Sequence, residues 1–338
     1  MKKIIVVIIA AFAMLPFLAC SGKSDNGDGM PSIGVTIYKF DDTFMSYTRN
    51  AIQLNAAGKA ALVLVDSQND QSRQNDQVDA FLSRKVDSLA INPVDRTAAS
   101  LILEKAKARN TPVVFFNREP LPEDMASWDK VYYVGAKAEQ SGIMQGEIAY
   151  DYWIANKASI DKNNDGILQY IMLKGEPNHQ DTEQRTYYAI QYLKEKGVPV
   201  QCLAEDTAMW DKPRAKEKML AFLEQYGGRI EMIFCNNDDM ALGVIEALKS
   251  NGYFQNGNYI PILGVDGTAP ALEALEEGTL LGTVLNDSDN QGKATFDIAY
   301  ALATGADPLN AGWEITDGQY IWVPYRKVTL DNYRQYKK

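Results

Sequence analysis

The sequence predicts an α/β protein made of two doubly wound parallel-sheet lobes joined by a hinge. Short runs rich in β-branched residues alternate with helical stretches from Ser32 onward. These runs lack the in/out alternation of half-exposed strands, which is typical of strands buried on both faces of a parallel sheet. Two such series follow one another, and 338 residues are enough for two domains.

The first series predicts the N-terminal lobe, which we assign to residues 32–135 and 288–322. Strands are predicted at residues 33–38, 62–65, 88–91 and 113–116, with helices at 43–59, 70–84 and 97–110 between them. Because no Pro- or Ser-rich linker separates the two series, the crossings between lobes are expected to be strand-like hinges.

The second series predicts the C-terminal lobe, assigned to residues 136–287 and 323–338. Strands are predicted at 169–173, 198–203, 232–235, 260–265 and 282–285, with helices at 181–196 and 212–226 and two more beginning at Asp239 and Pro270. A strand order of 2-1-3 would put the first strand between those that carry Cys202 and Cys235, so we expect two free, buried thiols.

The N-terminus predicts export. Lys2 and Lys3 precede an apolar run at residues 4–19, which is shorter than a membrane span of about 20 residues and is typical of a signal peptide. A small residue followed by Cys20 indicates lipoprotein cleavage, although Phe17 stands where such sites prefer Leu, so secretory cleavage without a lipid is the alternative. Residues 20–31 then predict a flexible tether that anchors the chain to a bacterial membrane, in the periplasm or at the cell surface.

The net charge argues against nucleic acid as a partner. The chain carries a formal charge of −10, and no helix-turn-helix pattern precedes the first lobe. Both features oppose a DNA-binding regulator.

Polar side chains follow the predicted strands in both lobes. Ligands of open parallel sheets bind beyond the carboxyl ends of the strands, so these side chains are expected to meet in one cleft. Asn92 also follows a strand. The alternative is that each Asp or Asn only caps a helix or forms a turn. The strand-end candidates are Asp41, Asp42, Asn92, Asn117, His179, Asp181, Asn236, Asn237, Asp238, Asp266, Asn286 and Asp287.

Carboxylates and amides in this number suit a polyhydroxylated ligand, because hydroxyl groups donate and accept hydrogen bonds at once. Arg185 lies one helical turn after Asp181 and adds a fork of donors. Phe44 and Trp210 are candidates for stacking on the apolar face of a sugar, with core packing as the alternative.

Residues 161–169 resemble the first nine positions of an EF-hand calcium loop. Oxygen ligands would come from Asp161, Asn163, Asp165, the carbonyl of Ile167 and Gln169, and a glycine occupies the sixth position. An EF-hand needs a glutamate at the twelfth position, where this chain has Met172. A simple Asn/Asp/Gly turn is therefore the alternative.

Several ordered segments resemble the periplasmic galactose/glucose-binding proteins. They include residues 33–46, 66–72, 113–117, 174–177, 206–211 and 282–287, within a similarity that runs from about residue 32 to 335. The resemblance implies a periplasmic binding protein of type I that is not an enzyme. It also implies an interlobe cleft that closes on D-glucose or D-galactose and a monomer that delivers the sugar to an ABC importer permease, with a chemoreceptor as a further candidate partner.

The resemblance also implies residue roles. Phe44 and Trp210 would sandwich the sugar, and the other eight positions would bind its hydroxyls and ring oxygen: Asp42, Asn117, His179, Asp181, Arg185, Asn237, Asp266 and Asn286. Asn92 is not among the implied contacts. For the metal loop, the resemblance implies a structural Ca²⁺ whose last ligand is the remote Glu231.

Two alternatives remain open from the residues. Another monosaccharide, or sugar sensing without transport, would suit the same groups. A glycosidase would use paired carboxylates such as Asp181 and Asp266, but the accompanying amides and Arg185 favour binding over acid catalysis.

Overall fold

The computed structural model describes residues 29–337, and the predicted signal peptide, Cys20 and most of the predicted tether lie outside them. The described residues form two six-stranded sheets. The strands are β1 (Ser32–Ile37), β2 (Ala61–Asp66), β3 (Ser88–Ile91), β4 (Val113–Phe116), β5 (Val131–Gly135), β6 (Leu168–Lys174), β7 (Val200–Thr207), β8 (Met232–Cys235), β9 (Ile262–Leu263), β10 (Gly282–Leu285), β11 (Tyr320–Trp322) and β12 (Arg326–Thr329).

Helices cover both faces of the sheets. Asp42, Asp70 and Asp211 each accept a backbone N–H from the first turn of the helix that follows, which satisfies donors that have no partner inside the helix. The α-helices within residues 29–337 are α1 (Thr43–Ala56), α2 (Gln71–Ser83), α3 (Ala99–Arg109), α4 (Pro122–Met125), α5 (Ala138–Ile160), α6 (Gln180–Glu195), α7 (Lys212–Tyr226), α8 (Asp238–Ser250), α9 (Ala269–Glu276) and α10 (Ser288–Thr304).

The predicted pair of doubly wound lobes is confirmed. The strand order is β11-β5-β4-β3-β1-β2 in the first sheet and β12-β10-β9-β8-β6-β7 in the second. Neighbouring strands are parallel except β10 and β12, which are antiparallel. The chain passes between the sheets after β5, after β10 and after β11, and α10 returns to pack on the first sheet. Three crossings therefore join the lobes.

Both faces of the sheets are buried, as the uninterrupted apolar strands predict. In β4, Val113 and Phe115 belong to one core cluster, while Val114 and Phe116 belong to the cluster on the opposite face. All four side chains are fully buried. The edge strand β2 is only partly buried, because no strand covers its outer side.

The sequence does not predict α5, although it is the longest helix of the described residues. Its contact with α6 is made by small residues: a Cβ added to Gly146 would stand 2.7 Å from the carbonyl oxygen of Ala189. Glycines bring the two helix backbones together and leave no apolar stripe of large side chains for a periodicity to detect. Strands β5, β11 and β12 and helix α10 are also unpredicted.

The element boundaries differ from the predictions where proline or a cap intervenes. The strand predicted at 260–265 is reduced to β9, since Pro261 has no N–H to donate to a ladder. The helix predicted at 97–110 begins with a 3₁₀ turn at Arg96–Ala98, which Asp95 caps.

The two cysteines lie on opposite sides of β6, as the order 2-1-3 predicts. Cys202 is on β7 and Cys235 on β8, and both thiols are free. Cys235 is buried, but the expectation of a buried Cys202 is wrong: β7 is an edge strand, and Cys202 is exposed.

Candidate functional site

All ten predicted sugar-binding residues line one cavity between the lobes. The cavity contains about 360 Å³ of space that protein atoms do not fill, part of which is open to solvent. Asp42, Phe44 and Asn117 come from the first lobe. The other seven come from the second lobe, two of them from helix α6 and five from loops that follow strands of the second sheet. The lining residues are Tyr38, Asp42, Phe44, Met45, Asn117, Arg118, His179, Asp181, Arg185, Trp210, Asn237, Asp266 and Asn286.

Helix capping and cavity lining are combined in three of these residues. Asp42 accepts the N–H of Met45 at 2.7 Å, and Asn237 accepts the N–H of Met240 at 3.0 Å. His179 caps α6 in the same way. The two interpretations of the polar strand ends are therefore compatible, because a cap fixes one side-chain atom and leaves another to face the cleft.

His179 is neutral, and its ring proton resides on Nε2. Its Nδ1 accepts the N–H of Asp181 at 3.1 Å, so Nδ1 carries no proton. Burial lowers the pKa of His179 well below its usual value, and the positive charges of Arg118 and Arg185 add to that effect. The proton of the neutral ring must then reside on Nε2.

Arg185 is the charged centre of the second-lobe side of the cavity. It donates to Asp181 Oδ2 at 2.6 Å, to the Tyr325 hydroxyl at 3.0 Å and to the carbonyl of Asn236 at 2.8 Å. Asp266 Oδ1 lies 4.0 Å from the same guanidinium. Burial raises the pKa of both Asp181 and Asp266, and Arg185 opposes that rise. Arg185 Nε is buried without a partner among the described residues.

Trp210 is held against the backbone of its own lobe. A Cβ added to Gly175 would stand 2.1 Å from the indole ring, so only glycine allows this packing. The ring also meets His179 edge-on at 5.2 Å between centroids. Phe44 lies in the first turn of α1 in the other lobe and is 8% exposed. The two aromatic side chains predicted to stack on the ligand, Phe44 and Trp210, thus line the cavity from opposite lobes.

Three of the lining residues have unusual backbone conformations. Asn117 and Trp210 both have a φ of 62°, and Asp266 has a φ of 127°. For residues other than glycine, such conformations cost roughly 1–3 kcal/mol, and they are concentrated at binding sites. Each lies shortly after the end of a strand, and each side chain lines the cavity.

The three neighbours that follow β8 have different roles. Asn237 lines the cavity, whereas Asn236 lies behind it and accepts the N–H of Gly175 at 3.1 Å. Asp238 is buried and accepts hydrogen bonds from Thr268 N–H and Thr283 Oγ1, which ties down the turn after Asp266. Burial raises the pKa of Asp238 to about 7.

Asn92, another strand-end candidate, supports the site from behind. It accepts the N–H of Tyr38 at 3.0 Å and donates to the carbonyl of Phe116 at 3.2 Å and to Asn117 Oδ1 at 3.2 Å. Its side chain is fully buried. Asn92 therefore links three strand ends and orients Asn117 without lining the cavity.

Comparison with known proteins assigns the family. Residues 33–307 match the model of the periplasmic binding protein domain. The chain belongs to the periplasmic binding protein domain family. It is 45% identical to the D-galactose/methyl-galactoside binding periplasmic protein of Haemophilus influenzae over the full length of both chains. It is 28% identical to the putative rhizopine-binding protein of Rhizobium meliloti, covering 100% of this chain and 99% of that one.

A solved structure of similar fold carries a cyclic polyol. The ABC transporter solute binding protein from Bacillus halodurans, with bound myo-inositol, is 30% identical and superposes with a TM-score of 0.77. The alignment covers 92% of this chain and 99% of that chain. Members of this family are solute-binding proteins, and the relatives differ in the polyhydroxylated compound they are named for.

Sequence reasoning missed three lining residues of this periplasmic binding protein domain. Tyr38 directly follows β1 and Arg118 directly follows Asn117, so the strand-end rule contained the signal for both. Met45 lies one helical residue after Phe44 and carries no polar atom that could have marked it.

The predicted metal loop is closed by hydrogen bonds among its own oxygen-bearing groups. Asp161 accepts the N–H groups of Asp165 and Gly166, and Asp165 Oδ2 accepts from the side-chain amides of Asn163 and Gln169, each at 2.8 Å. Gly166 has a φ of 75°, as a tight turn at the sixth position requires.

Glu231 closes the loop from a distant part of the sequence. Its Oε1 accepts the N–H of Lys162 at 2.7 Å and its Oε2 accepts the N–H of Gln169 at 2.9 Å. Gln169 Oε1 is buried and has no partner in the described residues. No three Asp, Glu, His or Cys side chains among residues 29–337 form a metal site by themselves. A cation here would therefore also depend on the oxygens of Asn163, Gln169 and the backbone.

Between residues 29 and 337 no helix combines the length and apolarity needed to cross a bilayer.

Proposed function

We propose that this protein binds D-glucose or D-galactose in the interlobe cleft and delivers it to an ABC importer as the extracytoplasmic binding component. The observation that carries the proposal is the convergence of ten predicted sugar-binding residues on one cavity. The relative that is 45% identical over its full length is named for D-galactose and its methyl glycoside, which supports a hexopyranose ligand.

The chemistry of the cavity complements a sugar. Asp42, Asp181 and Asp266 accept hydrogen bonds, Arg185 and His179 Nε2–H donate them, and the asparagines do both. Charge-assisted hydrogen bonds to hydroxyls are stronger than neutral ones and depend on direction, which favours one ring geometry. Phe44 and Trp210 provide apolar surface for the C–H faces of the ring.

The arrangement favours binding over hydrolysis. Asp181 and Asp266 both lie beside the guanidinium of Arg185, at 2.6 and 4.0 Å. A glycosidase places one proton donor and one opposing carboxylate on either side of the scissile bond. Two carboxylates beside one cation instead form a fixed acceptor surface, and we propose that the protein has no enzymatic activity.

Calorimetric titration tests the proposal. We expect glucose or galactose to bind far more tightly than ribose, myo-inositol or a linear hexitol, since only a hexopyranose combines an apolar ring face with both a ring oxygen and an exocyclic hydroxymethyl group. Incubation with nitrophenyl glucosides and galactosides should release no nitrophenol. Tightest binding of a pentose or an inositol would reassign the ligand, and absence of binding to every compound would overturn the proposed function.

We further propose that the loop at residues 161–169 and Glu231 bind a structural Ca²⁺. The unpartnered Gln169 Oε1 supports the proposal, because a half-turn of the amide would exchange its donor for an oxygen facing Asp165. The amide of Asn163 could turn in the same way, and the donor set would then consist of oxygens, as calcium prefers. The ion would join α5, β6 and the residue before β8 within one lobe.

The N-terminal predictions remain proposals of export and lipid attachment at Cys20. Mass spectrometry of the mature protein from its own membrane should find a diacylglyceryl group on Cys20. A mature chain without lipid would support secretory cleavage instead. The chemoreceptor stays a prediction.

A further inference from the structure

Arg118 occupies a buried position between the sugar cavity and the opposite lobe. It follows Asn117 at the end of β4, is 4% exposed and lines the cavity. One of its terminal nitrogens donates to the carbonyl of Val94 at 2.5 Å. Its guanidinium lies 3.8 Å from the centroid of the Tyr38 ring, which is a close cation–π contact.

The second lobe holds Arg118 through Glu176. The Arg118 Nη2 to Glu176 Oε2 distance is 2.5 Å, and the two side chains are only 5% and 17% exposed. The other oxygen of Glu176 accepts from the side chain of Asn69 at 3.3 Å, and the Asn69 N–H in turn donates to the carbonyl of Tyr38 at 2.6 Å. Both oxygens of this second-lobe carboxylate are thus bound by first-lobe side chains.

Tyr38 connects this ion pair to a sugar-binding carboxylate. Its hydroxyl donates to Asp42 Oδ2 at 2.6 Å, while Asp42 Oδ1 accepts the N–H of Met45. Burial raises the pKa of Tyr38 well above its usual value, and the charge of Asp42 adds to the rise, so the hydroxyl keeps its proton. The orientation of Asp42 therefore depends on where the Tyr38 ring lies.

We propose that Arg118 is a positioning residue that couples closure of the lobes to the orientation of Asp42, through its ion pair with Glu176 and its stacking on Tyr38. This inference rests on the proposed sugar-binding function. Opening the cleft separates Glu176 from Arg118, which leaves Arg118 with only its first-lobe partners. Closing desolvates the pair and presses the guanidinium onto the tyrosine that holds Asp42.

Other contacts also cross the cleft, but they lack this connection. Thr43 donates to Asp239 Oδ2 at 2.6 Å, and Gln180 donates to the carbonyl of Asn117 at 3.2 Å. Neither contact pairs opposite charges. Among the ion pairs of residues 29–337, Arg118 with Glu176 is the pair that joins the two lobes directly at the cavity.

Stopped-flow tryptophan fluorescence with glucose and galactose tests the coupling in three variants: Arg118→Met, Glu176→Gln and the double variant. We expect each single change to raise the sugar dissociation rate by about tenfold, with association changed less than twofold, because the pair forms only after closure. The double variant should resemble the single ones. The matched control is Glu277→Gln, which removes an exposed carboxylate paired with Lys249 at 2.8 Å and should leave both rates unchanged.

The variant Tyr38→Phe tests whether Arg118 positions Asp42 through Tyr38 or only holds the two lobes together. If Arg118 acts through Tyr38, the effect of Arg118→Met should shrink in the Tyr38→Phe background, where the hydrogen bond to Asp42 is already lost. An undiminished effect, or additive effects of Arg118→Met and Glu176→Gln, would overturn the proposed coupling.

A measurement without sugar separates this inference from the proposed function. Pulsed dipolar EPR spectroscopy measures the distance between spin labels placed on the two lobes. Without sugar, the fraction of closed molecules should be smaller in Arg118→Met than in the wild type. If wild-type protein binds no monosaccharide but this shift is present, the sugar-binding function fails and the lobe contact stands. If sugar binds normally and neither the distances nor the dissociation rates respond, the inference fails alone.

Discussion

The two lobes contribute unequally to the cleft. Seven of the ten predicted sugar-binding residues come from the second lobe, and three come from the first lobe. The second-lobe groups are joined to one another, since Arg185 holds Asp181, Tyr325 and the backbone of Asn236. In the first lobe, Asp42 is the single carboxylate that lines the cavity.

This difference indicates an order of events. The hydrogen bonds of Arg185 stay within the second lobe, so that half of the site is organised whether the cleft is open or closed. The first-lobe half includes a contact, Arg118 with Glu176, that requires closure. We infer that the sugar binds the second lobe first, and that the first lobe then closes over it.

Removal of the two aromatic rings tests this asymmetry most strongly. We expect Trp210→Ala to weaken sugar binding by about 3 kcal/mol, or more than 100-fold, because the indole is the larger surface and also contacts His179. Phe44→Ala should cost roughly 1–2 kcal/mol. Calorimetry measures both changes.

Two results would contradict the predicted asymmetry between the lobes. If Phe44→Ala weakens binding as much as Trp210→Ala, the two lobes contribute equally to the affinity and the proposed asymmetry is wrong. Unchanged affinity in Trp210→Ala would remove the aromatic sandwich altogether.

A second variant displaces the ring of Trp210 without removing it. Gly175→Ala adds a methyl group where a Cβ would stand 2.1 Å from the ring, so the indole must shift. We expect the affinity to fall by about 2 kcal/mol, as overpacking typically costs 1–3 kcal/mol. Gly228→Ala is the matched control in the same lobe, because no atom lies within 4 Å of its added Cβ. Equal affinities of the two variants would show that Trp210 tolerates displacement.

Much of this architecture can be predicted from the sequence, because apolar strands and polar strand ends are local signals. Val113–Phe116 reads as a buried strand from four consecutive residues, and Asn117 marks its end. Helix α5 escapes prediction since its packing depends on Gly142 and Gly146, whose contribution is the close approach of another helix.

The support of the site is harder to predict than the site. Asn92 looks identical to Asn117 from its place after a strand, yet one is a buried brace and the other lines the cavity. The role of Arg118 depends on its ion pair with Glu176, which is distant in sequence and belongs to the other lobe. Such roles arise from tertiary contacts that no local pattern records.

The predicted metal loop adds a further difference between the two lobes, because it lies in the second lobe alone. In the presence of Ca²⁺, we expect Glu231→Gln to lower the free energy of unfolding by about 1–2 kcal/mol, since it removes charge from a buried acceptor of two N–H groups. Sugar affinity should change less than twofold. Thermal melts with Ca²⁺ or chelator measure the effect, with Glu277→Gln as the control. Identical wild-type melting curves under both conditions would rule out a stabilising ion.

The smallest expected effect concerns the protonation of His179, which belongs to the charged half of the site. Burial lowers its pKa in the folded protein, whereas the unfolded chain has the ordinary value of about 6.5. As the pH falls below 6.5, the unfolded state takes up a proton that the folded state does not, so the folded state is destabilised.

The variant His179→Gln isolates the effect of His179 protonation on stability, because glutamine retains an acceptor for the N–H of Asp181 but does not titrate. Asp181 and Asp266, whose pKa values are raised, change stability in the opposite sense and are present in both proteins. Between pH 7 and 5.5, the wild type should therefore lose about 1 kcal/mol of unfolding free energy relative to the variant. Urea unfolding across this range measures the difference. A constant difference would mean that His179 titrates normally, and the second lobe would then hold a cationic imidazole beside Arg185 in weakly acidic surroundings, contrary to the neutral donor that its Nδ1 contact indicates.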